Sequence, residues 1–191
     1  MNLWLRLLLV LLRSSLSRPL AAPLDTSSLR FHVWPNDLDV VGHMNNGRYL
    51  AIMDLGRVNL LLRIGLWRLM LRKKWTPMVG TATVLFRREL GPFQRYRLDT
   101  RIAGWRGHLA VMEQKFVIDQ GQRAGHIAAL GLVRAGLYDR AKRAFVPIPE
   151  IMAELGVNVE TPPLSPEIAA FLDLEEHLRR AVPGPQQAAA Q

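Results

Sequence analysis

Residues 34–57 read WPNDLDVVGHMNNGRYLAIMDLGR, and the change of character inside this stretch decides the fold. Pro35 to Asn46 is dense in Asp, Asn and Gly, the composition of a loop held by side-chain to backbone hydrogen bonds. From Gly47 onward the sequence GRYLAIMDLGRVNLLLRIGL, about twenty residues, carries apolar positions on more than one face. Asn45 or Asn46 supplies an N-cap and Gly65 offers a stop, and a helix apolar nearly all round is a buried helix. The loop thus gathers Asp37, Asp39, His43, Asn45, Asn46 and Tyr49 at the N-terminal end of a buried helix.

On either side of this stretch the period is that of strands. Leu29 to Trp34 alternates and reads as a first strand. Met78 to Arg88, Tyr96 to Ala103, Leu109 to Asp119 and Ala124 to Tyr138 are rich in Val, Ile, Leu, Phe or Thr and are separated by turn formers, with Gly104 to Gly107 as a hairpin turn. One strand, one long buried helix and four antiparallel strands make an α+β plan in which a sheet wraps the helix. Short helices are expected at Pro147 to Leu155 and Pro166 to Arg180, and disorder in the final PGPQQAAAQ. The expected division is an apolar and basic segment with its linker at 1–28, the domain at 29–155, and an acidic tail with a short helix at 156–191.

The 191 residues suit one domain with a single substantial core. Cys is absent, so disulfides, thiolate metal sites and a cysteine nucleophile are excluded. His108 and His126 lie in strand contexts without ligand spacing, and no metal or cofactor is expected. The net charge of +9 is unevenly spread: residues 150–191 hold seven acids against Arg179 and Arg180, which leaves 23 bases against 9 acids in residues 1–149. Such a body attracts polyanions, whether nucleic acid, an anionic membrane or a phosphorylated small molecule. Nucleic acid is set aside because no helix-turn-helix, aromatic RNP-type strand or zinc-finger signature is present.

Residues 1–20, MNLWLRLLLVLLRSSLSRPL, are greasy and basic with no acid. Arg6 interrupts the only apolar run, which falls short of the roughly 18 residues a span requires. Three readings stand side by side: an interfacial anchor over residues 1–18, a helix packed on the domain or a partner subunit, and a cleaved signal. Arg63, Arg68, Arg72, Lys73 and Lys74 interleave with Leu66, Trp67, Leu69, Met70, Leu71 and Trp75, and read equally as a phosphate rim, a second membrane-facing surface or a basic helix end. The expected location is cytoplasmic, with residues 1–18 as a route to peripheral membrane contact.

The run Asp37-x-Asp39-x-x-Gly42-His43-x-Asn45-Asn46-x-x-Tyr49, followed by MDLGR in the helix, resembles the site loop of the hot-dog thioesterases over roughly residues 29–152. Within that family it is most similar to the thioesterase-superfamily member 6 proteins and their bacterial relatives, with 4-hydroxybenzoyl-CoA and plant acyl-ACP thioesterases further off. The resemblance implies a hot-dog fold, an antiparallel sheet wrapped around a long central helix. It also implies a homodimer or dimer of dimers, and an acyl-CoA substrate, less favourably acyl-ACP. In the hydroxybenzoyl-CoA branch the second Asp of the pair is the catalytic carboxylate, here Asp39. The plant branch adds an Asn and a His: the His corresponds to His43, while the Asn position is Val41, a departure that favours a mechanism resting on Asp39.

The chemistry asks for these residue types on its own terms. A thioester carbonyl is activated when its oxygen accepts from free N–H groups at a helix N-terminus. The Asp39 carboxylate then attacks the carbonyl or activates a water, and His43 or Asn46 orients the water or acyl chain. The bland reading of Asp39 is an Asx-turn, and that of Asp54 an ion pair with Arg57 three residues on. Asp54 is kept as the reserve carboxylate because another hot-dog branch places its acid on the central helix. Tyr49 closes the motif and is assigned to the substrate with Arg87, Arg88 and Arg106 as coenzyme A contacts; Met53, Val79 and Phe86 are the expected pocket lining. The rival function is a non-catalytic hot-dog protein binding acyl chains or lipid at a membrane.

Overall fold

The computed structural model describes residues 3–20 and 24–181, so the disorder expected for the final nine residues lies outside it. Helix α1 (Leu3–Leu16) precedes strand β1 (Ser27–His32), a single 3-10 turn at Pro35–Asp37 and the central helix α2 (Asn46–Arg63). Helix α3 (Leu66–Lys73) leads into β2 (Trp75–Phe86), β3 (Arg95–Arg106), β4 (Leu109–Ile118), β5 (Ile127–Asp139) and the two-residue β6 (Ala144–Phe145). Helices α4 (Ile148–Glu154) and α5 (Pro166–Ala181) complete the chain. The strands form one antiparallel sheet in the order β1-β3-β4-β5-β2, with β6 beside β5. This curled sheet around α2 is the expected α+β hot-dog fold.

The sheet accepts α2 closely because Gly56 faces β3: a Cβ there would stand 2.5 Å from Thr100 Oγ1 and 2.7 Å from Leu98 Cδ2. Ile52, Met53, Leu55 and Leu60 bury the helix's inner face among Leu98, Phe116, Val133 and their neighbours. The sheet's other face is covered by α5, whose Ile168, Phe171 and Leu172 pack on Ala103, Val111 and Leu132. There Glu175 of the acidic tail pairs with Arg134 of the basic body.

Several sequence boundaries moved, β1 to Ser27–His32 from Leu29–Trp34 and the start of β5 to Ile127 from Ala124 among them, and two moved for a visible physical reason. β2 begins at Trp75 rather than Met78, since β2 is a sheet edge and an edge tolerates Pro77. β3 runs through Gly104 to Arg106 instead of ending at Ala103: Gly104 sits at a register shift where a Cβ would meet Leu164 Cδ2 at 2.5 Å, and the turn falls at Gly107, φ +62°. Gly65, φ +78°, ends α2 as expected, but the basic stretch beyond it restarts as α3, whose Leu66, Leu69 and Met70 are buried.

Helix α1 packs on the domain. Val10 is buried, Ser14 Oγ donates to Asn59 Oδ1 at 2.6 Å, and Asn59 Nδ2 donates in turn to Ser27 Oγ, tying α1 to α2 and β1. Arg6, 2% exposed, reaches the loop before α2.

Candidate active site

The loop from Trp34 to Asn45 is built around Asp37, which is 1% exposed. Its carboxylate accepts from Arg6 (Nη1 at 3.1 Å, with Nη2 on the second oxygen) and from the Trp34 N–H at 2.9 Å, and Arg48 Nε lies 3.5 Å away. Its carbonyl accepts from Asn45 N–H at 2.8 Å. Leu38 and Met44 then form an isolated antiparallel bridge, and Asp39 N–H donates to His43 O at 2.8 Å. Asp39 therefore stands across from His43, two residues ahead of the helix cap.

One oxygen of the half-buried Asp39 accepts from Val41 N–H at 2.9 Å and His43 N–H at 3.3 Å, an Asx-type turn that fixes the side chain. Its other oxygen carries no hydrogen bond among the described residues. Asn45 is the cap of α2, its Oδ1 accepting from Gly47 N–H at 2.8 Å. Asn46 is the exposed first residue of the helix, and its N–H has no partner among the described residues. The geometry therefore supplies a fixed carboxylate with one open oxygen and an open first-turn donor at the positive end of α2.

The other expected site residues fall into separate groups. The His43 ring lies 3.8 Å from Glu89 Oε2, beside the exposed Arg87 and Arg88 that follow β2. Tyr49 is buried against the rings of Phe86 and Phe116, at 5.0 and 4.8 Å, and burial pushes its hydroxyl up to about 12. Arg106 ends β3, whose opposite end Arg95 pairs with His32; at ~3.3 Å per residue that is about 36 Å along the strand from the loop's side of the sheet. Among the described residues no group of three or more His, Asp or Glu could hold a metal.

Asp54 occupies a different setting on α2. It is exposed and paired with Arg57, whose guanidinium donates to Gln114 Oε1 at 2.9 Å and is held below its ordinary pKa by burial against Asp54's opposing pull. Both line an apolar cavity of about 330 Å³ with Leu61, Ile64, Trp67, Val79, Met112 and Met152. Asp39 does not line it, nor do Met53 and Phe86. The loop carboxylate thus lies at the helix N-terminus and this apolar cavity lies along the helix's second half. Arg6 and Glu89 were missed in the sequence; Arg6 had a signal, a lone charge among leucines.

A curled antiparallel sheet holding a central helix, with a carboxylate loop at that helix's N-terminus, defines a hot-dog protein. The Thioesterase-like superfamily model matches residues 33–156, and the chain belongs to that superfamily. It is 35% identical over 131 residues to Protein THEM6 of Danio rerio, covering 69% of this chain and 63% of that protein. It is 33% identical over 97 residues to the probable thioesterase YBR096W of Saccharomyces cerevisiae, covering 50% and 42%. Both matches span less than two thirds of the relative's length. Among solved structures, the YbaW probable thioesterase from Escherichia coli superposes with a TM-score of 0.61 at 19% identity, over 67% of this chain and 95% of that one.

Proposed function

We propose that the protein hydrolyses an acyl-CoA thioester to the free acid and coenzyme A, with Asp39 as the catalytic carboxylate. The observation that carries this reading is the Asx-type turn that holds Asp39 with one oxygen open in the loop that leads into α2, whose Asn46 N–H is open. Superfamily membership and the yeast relative's name support the same class. The thioester oxygen is placed to accept from the Asn46 N–H, where the helix dipole favours developing negative charge. Asp39 attacks the carbonyl carbon and expels the thiolate, leaving an anhydride that water opens, or it takes a proton from a water that attacks directly. Arg87 and Arg88, exposed beyond β2, supply charge for coenzyme A phosphates.

A second reading rests on one observation: Asp54 lines the apolar cavity. An acyl chain seated there sets its carbonyl near the helix carboxylate, but the pairing with Arg57 lowers that carboxylate's nucleophilicity.

The reading includes a pair of copies. Among the described residues β2 is a sheet edge with its backbone unpaired on one side, and Met78, Val79, Leu85 and Phe86 are exposed along it. A long apolar edge is covered in a stable protein, and a second β2 covers it by extending the sheet. Light scattering at micromolar concentration is expected to give a dimer or larger; a stable monomer contradicts this. Activity is tested by free-thiol release from aromatic, short-chain and long-chain acyl-CoA thioesters. Turnover of at least one class is expected, and binding of acyl-CoA without turnover replaces the enzyme by the acyl-chain carrier.

A further inference from the structure

Helix α1 is apolar on the side it turns away from the domain as well as on the side it packs. Two polar side chains face inward beside Leu3, Leu7 and Val10: Arg6 holds Asp37 and the His32 carbonyl, and Ser14 holds Asn59 and the Val10 carbonyl. Its outward side is Leu5, Leu8, Leu12 and Leu16 in one stripe, widened by Trp4, Leu9 and Leu11, and all are exposed, Trp4 by 76% and Leu16 by 90%. A helix between a core and water carries polar residues on its outer face.

The margin of the stripe is cationic. Helix α1 contains no acid, Arg13 lies in its last turn and Arg18 just beyond. The adjoining groove is lined by Arg13, Arg30, Arg63 and Arg97. Leucines flanked by arginines match a bilayer that offers acyl chains below and phosphates at the level of the headgroups. Fourteen residues span about 21 Å at ~1.5 Å each, and no helix among the described residues is long and apolar enough to cross a membrane. A helix of this kind lies in the interfacial plane.

We propose that the outward face of α1 is a docking surface for an anionic phospholipid bilayer, and that its inward bonds keep it on the domain while docked. A second copy is the poorer occupant, because its α1 brings further arginines and no acid to meet Arg13 and Arg18. The arrangement has a consequence for the candidate site. Trp34, where the site loop begins, shares a cleft with Leu9 and Arg13, and Arg6 holds Asp37. Docking through α1 therefore sets the Asp39 loop beside the lipid surface, where sparingly soluble acyl compounds collect.

Docking is read without turnover, so it stands or falls apart from the thioester reading. The full chain and the variant L5Q/L8Q/L12Q are floated with vesicles of phosphatidylcholine alone and with added phosphatidylglycerol. The unaltered chain is expected to float with the anionic vesicles, and to lose binding as salt rises from about 0.1 M to about 1 M, which shortens the screening length from about 10 Å to about 3 Å. The triple variant is expected to bind at least about tenfold more weakly with an unchanged far-ultraviolet spectrum and thermal midpoint, since its inner face is intact. The variant R13Q/R18Q leaves the leucines in place and is expected to bind anionic vesicles more weakly and with less sensitivity to salt. The proposal is overturned if the unaltered chain ignores anionic vesicles, or if either folded variant binds them as tightly. It is equally overturned if vesicles are ignored while L5Q/L8Q/L12Q lowers the lipid-free mass in light scattering, which makes the face a contact between copies.

Discussion

Replacing Arg6 by Met removes the cation from a buried pair and leaves the Asp37 carboxylate, 1% exposed, to its remaining partners. These are the Trp34 N–H at 2.9 Å and Arg48 at 3.5 Å, the latter about one-third exposed and so partly screened. Breaking one side of a buried pair costs about 3–5 kcal/mol, and the residual contacts place this case at the lower end. The bond from Arg6 to the His32 carbonyl, 3.2 Å, adds about 1 kcal/mol. The expected loss is therefore about 3–4 kcal/mol, or about 6–16 °C in thermal midpoint for a chain of this length. Urea and thermal unfolding followed by circular dichroism measure it. The double variant R6M/D37L removes both charges and is expected to regain about half of the loss, retaining about 1 kcal/mol for the Trp34 N–H left without its acceptor and about 1 kcal/mol for the bond to the His32 carbonyl. A loss under about 1 kcal/mol for Arg6→Met, or a coupling between positions 6 and 37 below about 0.5 kcal/mol, refutes the claim that α1 holds the site loop by this pair.

Gly56→Ala forces a Cβ to within 2.5 Å of Thr100 Oγ1 and 2.8 Å of Gln114 Nε2, so it is expected to destabilise by about 1–3 kcal/mol in urea even though Ala is the better helix former by about 1 kcal/mol. A more stable variant contradicts the close approach of α2 to the sheet. Burial pushes Tyr49 up to about 12 in the folded state, above its ordinary value near 10. The folded state thus holds that proton more tightly, and the stabilisation is complete below pH ~10 and lost as pH rises toward about 12, a change of about 3 kcal/mol. Tyr49→Phe is expected to flatten this alkaline arm of the stability profile; identical arms in both proteins refute the assignment.

What could be read from the sequence was local. The loop and its cap were legible because Asp, Asn and Gly have few other uses in such density, and Asn45 does cap α2. The central helix and the strands followed from period and turn formers. What escaped depends on distant partners. Arg6 read as a charge that prevents a span, and only the fold shows it opposite Asp37, 31 residues away. Gly104 read as a turn because its strand role depends on the approach of Leu164, and Pro77 read as a boundary because edge position is invisible before the sheet order is known. The site was legible in the same measure. Asp39 lies in the loop before α2 and Asn46 opens the helix, while Tyr49 goes to the core and Arg106 to the far end of β3. Sequence spacing placed them in one motif or one charge class, and the sheet separated them.

The Asp39 carboxylate is the centre of the account, and comparing Asp39→Asn with Asp54→Asn tests it most directly. The measurement is the turnover number of each folded variant at saturating acyl-CoA, using whichever thioester the unaltered protein hydrolyses fastest. Asn at position 39 keeps the size of the side chain and an acceptor for the Val41 and His43 N–H groups, while removing the charge and nucleophilicity. It is expected to lower turnover by about a hundredfold or more, the scale of lost carboxylate catalysis, whereas Asp54→Asn costs less than about tenfold. Unchanged turnover in Asp39→Asn together with an inactive Asp54→Asn contradicts the account and moves the chemistry to the carboxylate on α2 that borders the apolar cavity.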